Sequence, residues 1–300
     1  MMREKIADSN GIKIWSESMG DVNHPTLLLI MGAGSQAIHW PPSFCRKLLQ
    51  LGYNVIRYDH RDVGLSSLIN FEENPYTIND LVDDALAVLD AHKIEKAHIV
   101  GASMGGFIAQ LLAARHPSRV LSLTSFASTP DHRPLVAPLL GQDPRSFSLE
   151  AMTDECLAFL QKVHLTTPKT PQEALERQVA YFSFLNGNSL EVDQAAIQQL
   201  CIASFKRCPQ TRNAFNHTLA TAKSEDRLNE IKKISVPSLI IHGSEDPLIP
   251  VSHARAAAEA IQDAELVIIK KMGHTLHPQI EDEVLEAINR LARLAINTPL

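Results

Sequence analysis

The sequence predicts an α/β protein, a mostly parallel sheet with helices on both faces. Continuous apolar runs such as TLLLIM, AHIV and SLIIH have the look of strands buried on both sides. Stretches with helical spacing lie between them, and such alternation is the pattern of a parallel sheet with helical crossovers. The alternation is interrupted once, from Thr129-Pro130 to about Leu228, where the chain reads as helices with proline breaks and shows no buried strand.

Along the chain, IADSNGIKIWSES reads as two strands around Asn10-Gly11, a favoured hairpin pair. TLLLIMGAG is a buried strand ending in glycines, and helical spacing follows from about Trp40 to Leu51. YNVIRYDHRDVG is a second buried strand that runs into a polar loop. TINDLVDDALAVLDAHKI places Leu81, Ala85, Leu86 and Leu89 on one helical face, with Thr77 or Asn79 as the cap. KAHIVGAS is a third buried strand, MGGFIAQLLAARHP a helix stopped by Pro117, and VLSLTSFAS a fourth strand. After the interruption come a strand (VPSLIIHG), a helix (SHARAAAEAI), a strand (AELVIIKK) and a long final helix.

The expected organisation is a core of residues 1–129 and 229–300, with a helical cap at 130–228 inserted after the fourth parallel strand. An insertion there stands over the carboxyl ends of the strands, the usual ligand position in open α/β sheets. Its candidate pocket residues are Leu139, Leu140, Met152, Phe159, Leu160, Tyr181, Phe182, Phe184, Leu185 and Phe215, most of them also natural helix-packing residues.

Bulk properties narrow the function. A net charge of −6 and a pI near 6.1 give no footprint for a polyanion, so no nucleic-acid partner is expected. Cys45, Cys156, Cys201 and Cys208 are widely spread without C-x-x-C spacing, which fits buried thiols in a reducing compartment better than a disulfide frame or a zinc site. The stretch MMREKIADSNG has no apolar h-region, and no apolar run approaches the roughly 20 residues that span a bilayer. The expectation is a cytoplasmic protein, monomer or homodimer, with no membrane partner, no metal and no cofactor.

The chemistry is concentrated at Gly101-Ala102-Ser103-Met104-Gly105, a G-x-S-x-G match joining a buried strand to a helix. There the turn forces a serine into unfavourable backbone angles and points its hydroxyl outward, while glycines let strand and helix approach. The first amides of the helix from Met104 point the same way and favour negative charge.

A serine hydroxyl needs a base. Of the 13 histidines, His98 and His242 fall in or near strands and read as structural. His274, just past the last strand in KKMGHTLHP, is the best candidate, and His277 is its near rival. The base needs an orienting carboxylate. Asp246 in HGSEDPLIP lies on a loop at the same end of the sheet, with Glu245 facing elsewhere and Asp131, after the fourth strand, as the second option. The oxyanion needs two backbone donors. Met104 N–H is one, and Ala33 N–H, in the glycine-bearing loop Met31-Gly32-Ala33-Gly34, is the other. The chain order Ser103, Asp246, His274 is that of α/β-hydrolases.

With these residues in view, the whole chain resembles an α/β-hydrolase-fold enzyme. The stretches LLLIMGAGSQAIHW, VIRYDHRDVGLSS, GASMGG, EDPLIP and KMGHTLHP resemble the aclacinomycin methylesterase type. The resemblance implies an eight-stranded, mostly parallel sheet flanked by helices. It also implies a metal-free Ser103–Asp246–His274 triad that cleaves a methyl ester. The chain departs from the family pattern twice. Met31-Gly32 stands where many members carry His-Gly, and Arg61-Asp62-Val63-Gly64 stands where many carry R-G-x-G, which leaves Asp62 able to pair with Arg61.

The expected function is therefore a serine hydrolase cleaving a carboxylic ester, methyl esters included, of a small and fairly hydrophobic molecule. The same triad also serves carbon–carbon bond hydrolysis, enol-lactone hydrolysis and cofactor-free perhydrolysis. A ligand-binding receptor with a vestigial triad is the alternative from another class, disfavoured because every catalytic part is present.

Overall fold

The computed structural model describes residues 2–165, 168–209 and 211–297. Its centre is one eight-stranded sheet in the order β1-β2-β4-β3-β5-β6-β7-β8. Strands β1 (Arg3–Ser9) and β2 (Ile12–Met19) form the expected antiparallel hairpin around Asn10-Gly11, both at positive φ (53° and 86°). β2 pairs antiparallel with β4 (Asn54–Tyr58). The others, β3 (Thr26–Ile30), β5 (Ala97–Ala102), β6 (Val120–Phe126), β7 (Ser238–Gly243) and β8 (Glu265–Ile269), are all parallel to β4. Every residue of β3, β5 and β7 is buried, as their unbroken apolar runs require of strands covered on both faces.

Helices close the two faces. α1 (Pro42–Gln50) and the last helix, α11 (Glu281–Asn297), lie on one face, where Phe44, Leu48, Leu285 and Ile288 pack on Leu27, Leu29 and Leu239. α2 (Ile78–Ala91), α3 (Met104–Arg115) and α10 (Val251–Ala260) cover the other, packing on Leu28, Ile30 and Ile99. Thr77 caps α2 as expected, its hydroxyl accepting from Asn79 N and Asp80 answering in a capping box. Residues Met104 to Ala113 of α3 are all buried, so this helix is central rather than amphipathic.

Between β6 and β7 the described residues form only helices and loops: α4 (Arg133–Val136), α5 (Asp154–Leu165), α6 (Pro171–Leu185), α7 (Gln194–Arg207), α8 (Asn216–Ala222) and α9 (Leu228–Ile231). The ends of this segment are tied together. Arg227 N–H donates to Pro130 O at 2.9 Å, and the buried Arg227 guanidinium donates to Thr129 O at 2.8 Å and lies 4.2 Å over the Phe107 ring. Ion pairs and hydrogen bonds join the segment to the core. Arg207 Nη2 reaches Asp59 Oδ2 at 2.5 Å, and Gln36 Nε2 donates to Ser204 O at 2.8 Å. All four cysteines are buried thiols. Among the described residues no helix is long and apolar enough to cross a membrane.

Parallel pairing brings the carboxyl ends of β3, β5, β6, β7 and β8 to one edge of the sheet. The loops carrying Ala33, Ser103, Asp131, Asp246 and His274 all leave from that edge.

Candidate active site

Ser103 sits between β5 and α3 at φ 53° and ψ −120°, a conformation that costs a non-glycine residue on the order of 1–3 kcal/mol. The surroundings fix it there. Ser103 N–H donates to Phe126 O at 2.9 Å, while Ser103 O accepts from Gly106 N and Ser128 Oγ, both at 2.8 Å. A Cβ at Gly101 would lie 2.1 Å from Gly105 O, and one at Gly105 would lie 2.2 Å from Ile30 O. Glycine at both positions is therefore a requirement of strand–helix contact under the turn. On the other side, Gly32 packs against the serine, since a Cβ there would meet Ser103 Cβ at 3.1 Å and Oγ at 3.6 Å.

The loops after β7 and β8 meet. His274 Nδ1 donates to Asp246 Oδ2 at 2.7 Å, which leaves Nε2 as the ring's acceptor. The other carboxylate oxygen, Oδ1, accepts from Leu248 N and Ile249 N, each at 2.9 Å. Burial opposes ionisation of Asp246, but the His274 charge and hydrogen bond, His242 and the Ile249 amide together hold its carboxyl below the usual range. His274 is 8% exposed, and its own N–H donates to Leu185 O at 2.7 Å, at the end of α6. Here core and insertion touch backbone to backbone: a Cβ on Gly273 would lie 2.3 Å from the Asn186 carbonyl.

The alternatives have other partners. His277 is half-buried, with Nε2 donating to Glu191 O at 3.0 Å and Nδ1 accepting from Gln279 N. Both Asp131 oxygens are taken by the Arg133 guanidinium at 2.8 Å. Glu245 accepts from Ser189 Oγ. His98 bonds Ser122 Oγ at 2.8 Å, within the sheet. His242 Nε2 donates to Ile249 O at 2.9 Å and also stands 3.4 Å from Asp246 Oδ2.

The expected Arg61–Asp62 pair is not formed. Asp62 lies at φ 73°, a left-handed position where the family pattern has glycine and where aspartate is tolerated better than most residues. The backbone turn carries its carboxylate toward Tyr76 Oη (2.7 Å), Ile69 N (2.6 Å) and the amides of Asn213 and Asn216. Arg61 instead makes a two-pronged pair with the buried Asp84, at 2.7 and 2.8 Å.

A cavity of ≈ 690 Å³ opens from the loop after β3 into the helical segment, lined by Ala33, Gln36, His39, Tyr181, Phe182 and Phe205 among others. Phe215 also lines it, but several other expected pocket residues are packing instead. Met152 and Leu160 form a small core with Leu135, Cys156 and Ile249, and Phe159 stacks on Phe184 with centroids 4.0 Å apart. A larger open groove of ≈ 1230 Å³ lies at the opposite edge, beside Thr26, Leu121 and Val236 at or near the strand starts. No cluster of three or more metal-ligating side chains occurs among the described residues. Sequence reasoning missed Gln36, His60, Arg207 and His217 around the loop after β3. Gln36 and His60 lie within stretches already singled out, but Arg207 and His217 carry no motif and reach this loop only because the segment between β6 and β7 folds back on it.

Comparison with known proteins defines the class. A family model described as alpha/beta hydrolase fold matches residues 25–279. The chain is 32% identical over 297 residues, covering 98% of it and 99% of the relative, to rhodomycin D methylesterase DnrP of Streptomyces peucetius. It is 29% identical over 264 residues, covering 88% of it and 87% of the relative, to 3-oxoadipate enol-lactonase 1 of Acinetobacter baylyi. Among solved structures, the esterase EaEST from Exiguobacterium antarcticum superposes with a TM-score of 0.74 at 20% identity, over 98% of this chain and 100% of that one. The chain belongs to the α/β-hydrolase fold family. It is a hydrolase of that family, and two relatives that it matches over 98% of its length are named methylesterases.

Proposed function

We propose that the protein is a serine hydrolase that cleaves a carboxylic ester of a small, fairly hydrophobic molecule, methyl esters included, through an acyl-enzyme. The observation that carries this reading is the 2.7 Å His274–Asp246 hydrogen bond at the sheet edge from which the strained Ser103 also projects. Ser103 Oγ attacks the ester carbonyl as His274 Nε2 takes its proton. Asp246 keeps the proton of His274 on Nδ1 and offsets the imidazolium charge. The amides of Met104 and Ala33 donate to the oxyanion. His274 then protonates the leaving alcohol, and a water activated by the same ring releases the acid. The helical segment 130–228 acts as a cap whose cavity holds the organic part of the substrate, and its aromatic side chains favour an uncharged, hydrophobic group.

The full-length similarity to a methylesterase supports ester cleavage. The similarity to an enol-lactonase keeps cyclic enol esters as a second substrate group for the same residues. The test is a panel of methyl, short-chain and long-chain esters and an enol-lactone, together with fluorophosphonate labelling of Ser103. Stoichiometric labelling and turnover of at least one ester, both lost in Ser103→Ala, are expected. A folded wild-type protein that neither labels nor turns over any of the panel would overturn the reading.

A further inference from the structure

Two buried histidines hold the loop that follows β3. His60 Nε2 donates to Met31 O at 2.8 Å, at the start of the loop. His217, in α8 of the insertion, accepts the Gly34 N–H on Nδ1 at 2.8 Å, at the end of the loop. His217 Nε2 then carries the ring proton and donates it to Arg61 O at 2.7 Å. The two rings meet edge to face, with centroids 5.5 Å apart. Between the two clamped ends lie Gly32, packed on Ser103, and Ala33, which borders the cavity.

We propose that His217 is a positioning residue: by accepting the Gly34 N–H it fixes the loop so that the neighbouring Ala33 N–H faces the oxyanion above Ser103. This rests on the reading of Ala33 as an oxyanion donor. The geometry makes the dependence specific. Gly34 lies at φ 71°, so the loop turns sharply just past Ala33, and Ser35 N–H closes the turn onto Gly32 O at 3.2 Å. With the Gly34 amide held by the insertion and the Ser35 amide by Gly32 O, the Ala33 amide is the loop donor that this proposal assigns to the oxyanion. Burial holds both rings well below the ordinary histidine value, His217 at about 4 and His60 at about 3, so the Nδ1 lone pair of His217 is available at neutral pH. The consequence is that the insertion supplies part of the catalytic geometry as well as walls for the substrate. An oxyanion donor displaced by about 1 Å costs on the order of a hundredfold in rate.

Two substitutions separate the two bonds of the ring. In His217→Asn the side-chain oxygen reaches the place of Nδ1 and keeps an acceptor for Gly34. In His217→Gln the amide nitrogen reaches the place of Nε2 and keeps the donor to Arg61 while losing that acceptor. With p-nitrophenyl acetate, and kcat counted per fluorophosphonate-titrated site, the glutamine variant is expected to lose about a hundredfold in kcat with KM within about threefold. The asparagine variant is expected to stay within about tenfold of wild type. Equal kcat in the two variants, or a loss confined to KM, would overturn the proposal. Should either variant fail to fold, nitrogen NMR of the wild-type protein decides. An unprotonated Nδ1 and a protonated Nε2 on His217 at pH 7 are required, and a proton on Nδ1 sinks the idea. A wild-type enzyme that does not label at Ser103 would instead refute the nucleophile assignment, so the two failures are distinguishable.

Discussion

Asp246 Oδ2 lies 2.7 Å from His274 Nδ1 and Asp246 Oδ1 accepts two backbone amides, so the carboxylate has one orientation and the imidazole has one tautomer. Asp246→Asn keeps the shape but can present an N–H toward Nδ1. The ring then holds its proton on Nε2, where it cannot accept from Ser103. The expected outcome is a fall in kcat of about ten-thousandfold with little change in KM. Steady-state hydrolysis of an ester that the wild-type enzyme cleaves checks it, and a variant retaining a tenth of the activity would refute the assignment.

The strain at Ser103 predicts a stability difference. Ser103→Gly removes the left-handed penalty, whereas Ser103→Ala keeps it along with the Cβ. Both variants should be inactive, but the glycine variant should be more stable than the alanine variant by about 1 kcal/mol. Chemical denaturation of the pair measures this difference. A glycine variant less stable than the alanine variant would show that the turn is not strained.

Arg61 and Asp84 form a buried, two-pronged ion pair that ties the loop after β4 to α2, with side chains 8% and 0% exposed. Asp84→Ala leaves the guanidinium buried without its counter-charge, and a loss of about 3–5 kcal/mol is expected from breaking such a pair. Replacing both partners by apolar residues of similar volume should recover much of that loss. A urea-denaturation series of the single and double variants decides the point.

The buried histidines give the fold an acid limit. Burial lowers His60 and His132 to about 3, and His39, His98 and His217 to about 4, from the ordinary 6.5. Their folded values lie below the unfolded one, so between these limits the unfolded chain binds protons that the native state refuses. Stability contributed by the neutral rings is intact above pH 6.5 and is lost as pH falls from there toward 4 and below. The depressed carboxyl of Asp246 adds to the loss at the acid end. Urea midpoints measured from pH 8 to pH 4 should fall with a slope equivalent to more than one proton. A flat profile between pH 6.5 and 5 would contradict this.

Much of the fold was legible because strands buried on both faces leave unbroken apolar runs, and parallel pairing then dictates which loops share an edge. TLLLI, HIV and SLIIH needed nothing else. The hydrogen bond between His274 and Asp246 was foreseeable because each residue follows a strand whose order is set by the crossovers. The partner of Asp62 was not. Its carboxylate turns on a single backbone angle, and the asparagines it meets lie about 150 residues further on. His217 was equally silent, since nothing near Asn216–Ala222 distinguishes a helix that packs from one that grips a distant loop. Helical insertions have weak periodicity with proline breaks, so Met152, Leu160 and Phe159 could not be sorted from cavity-lining side chains until their neighbours were known.

The backbone contact between Gly273 and Asn186 bears on how this enzyme could be rebuilt. A Cβ at Gly273 has no room because the end of α6 lies directly against the loop of His274, and α8 grips the loop of Ala33. Recombination that exchanges residues 130–228 for the same segment of a distant relative would therefore import a foreign surface onto the loops of Ala33 and His274 at once. Shifts in substrate range are better sought by point changes at cavity positions such as Tyr181, Phe182 and Phe205, which leave both contacts untouched.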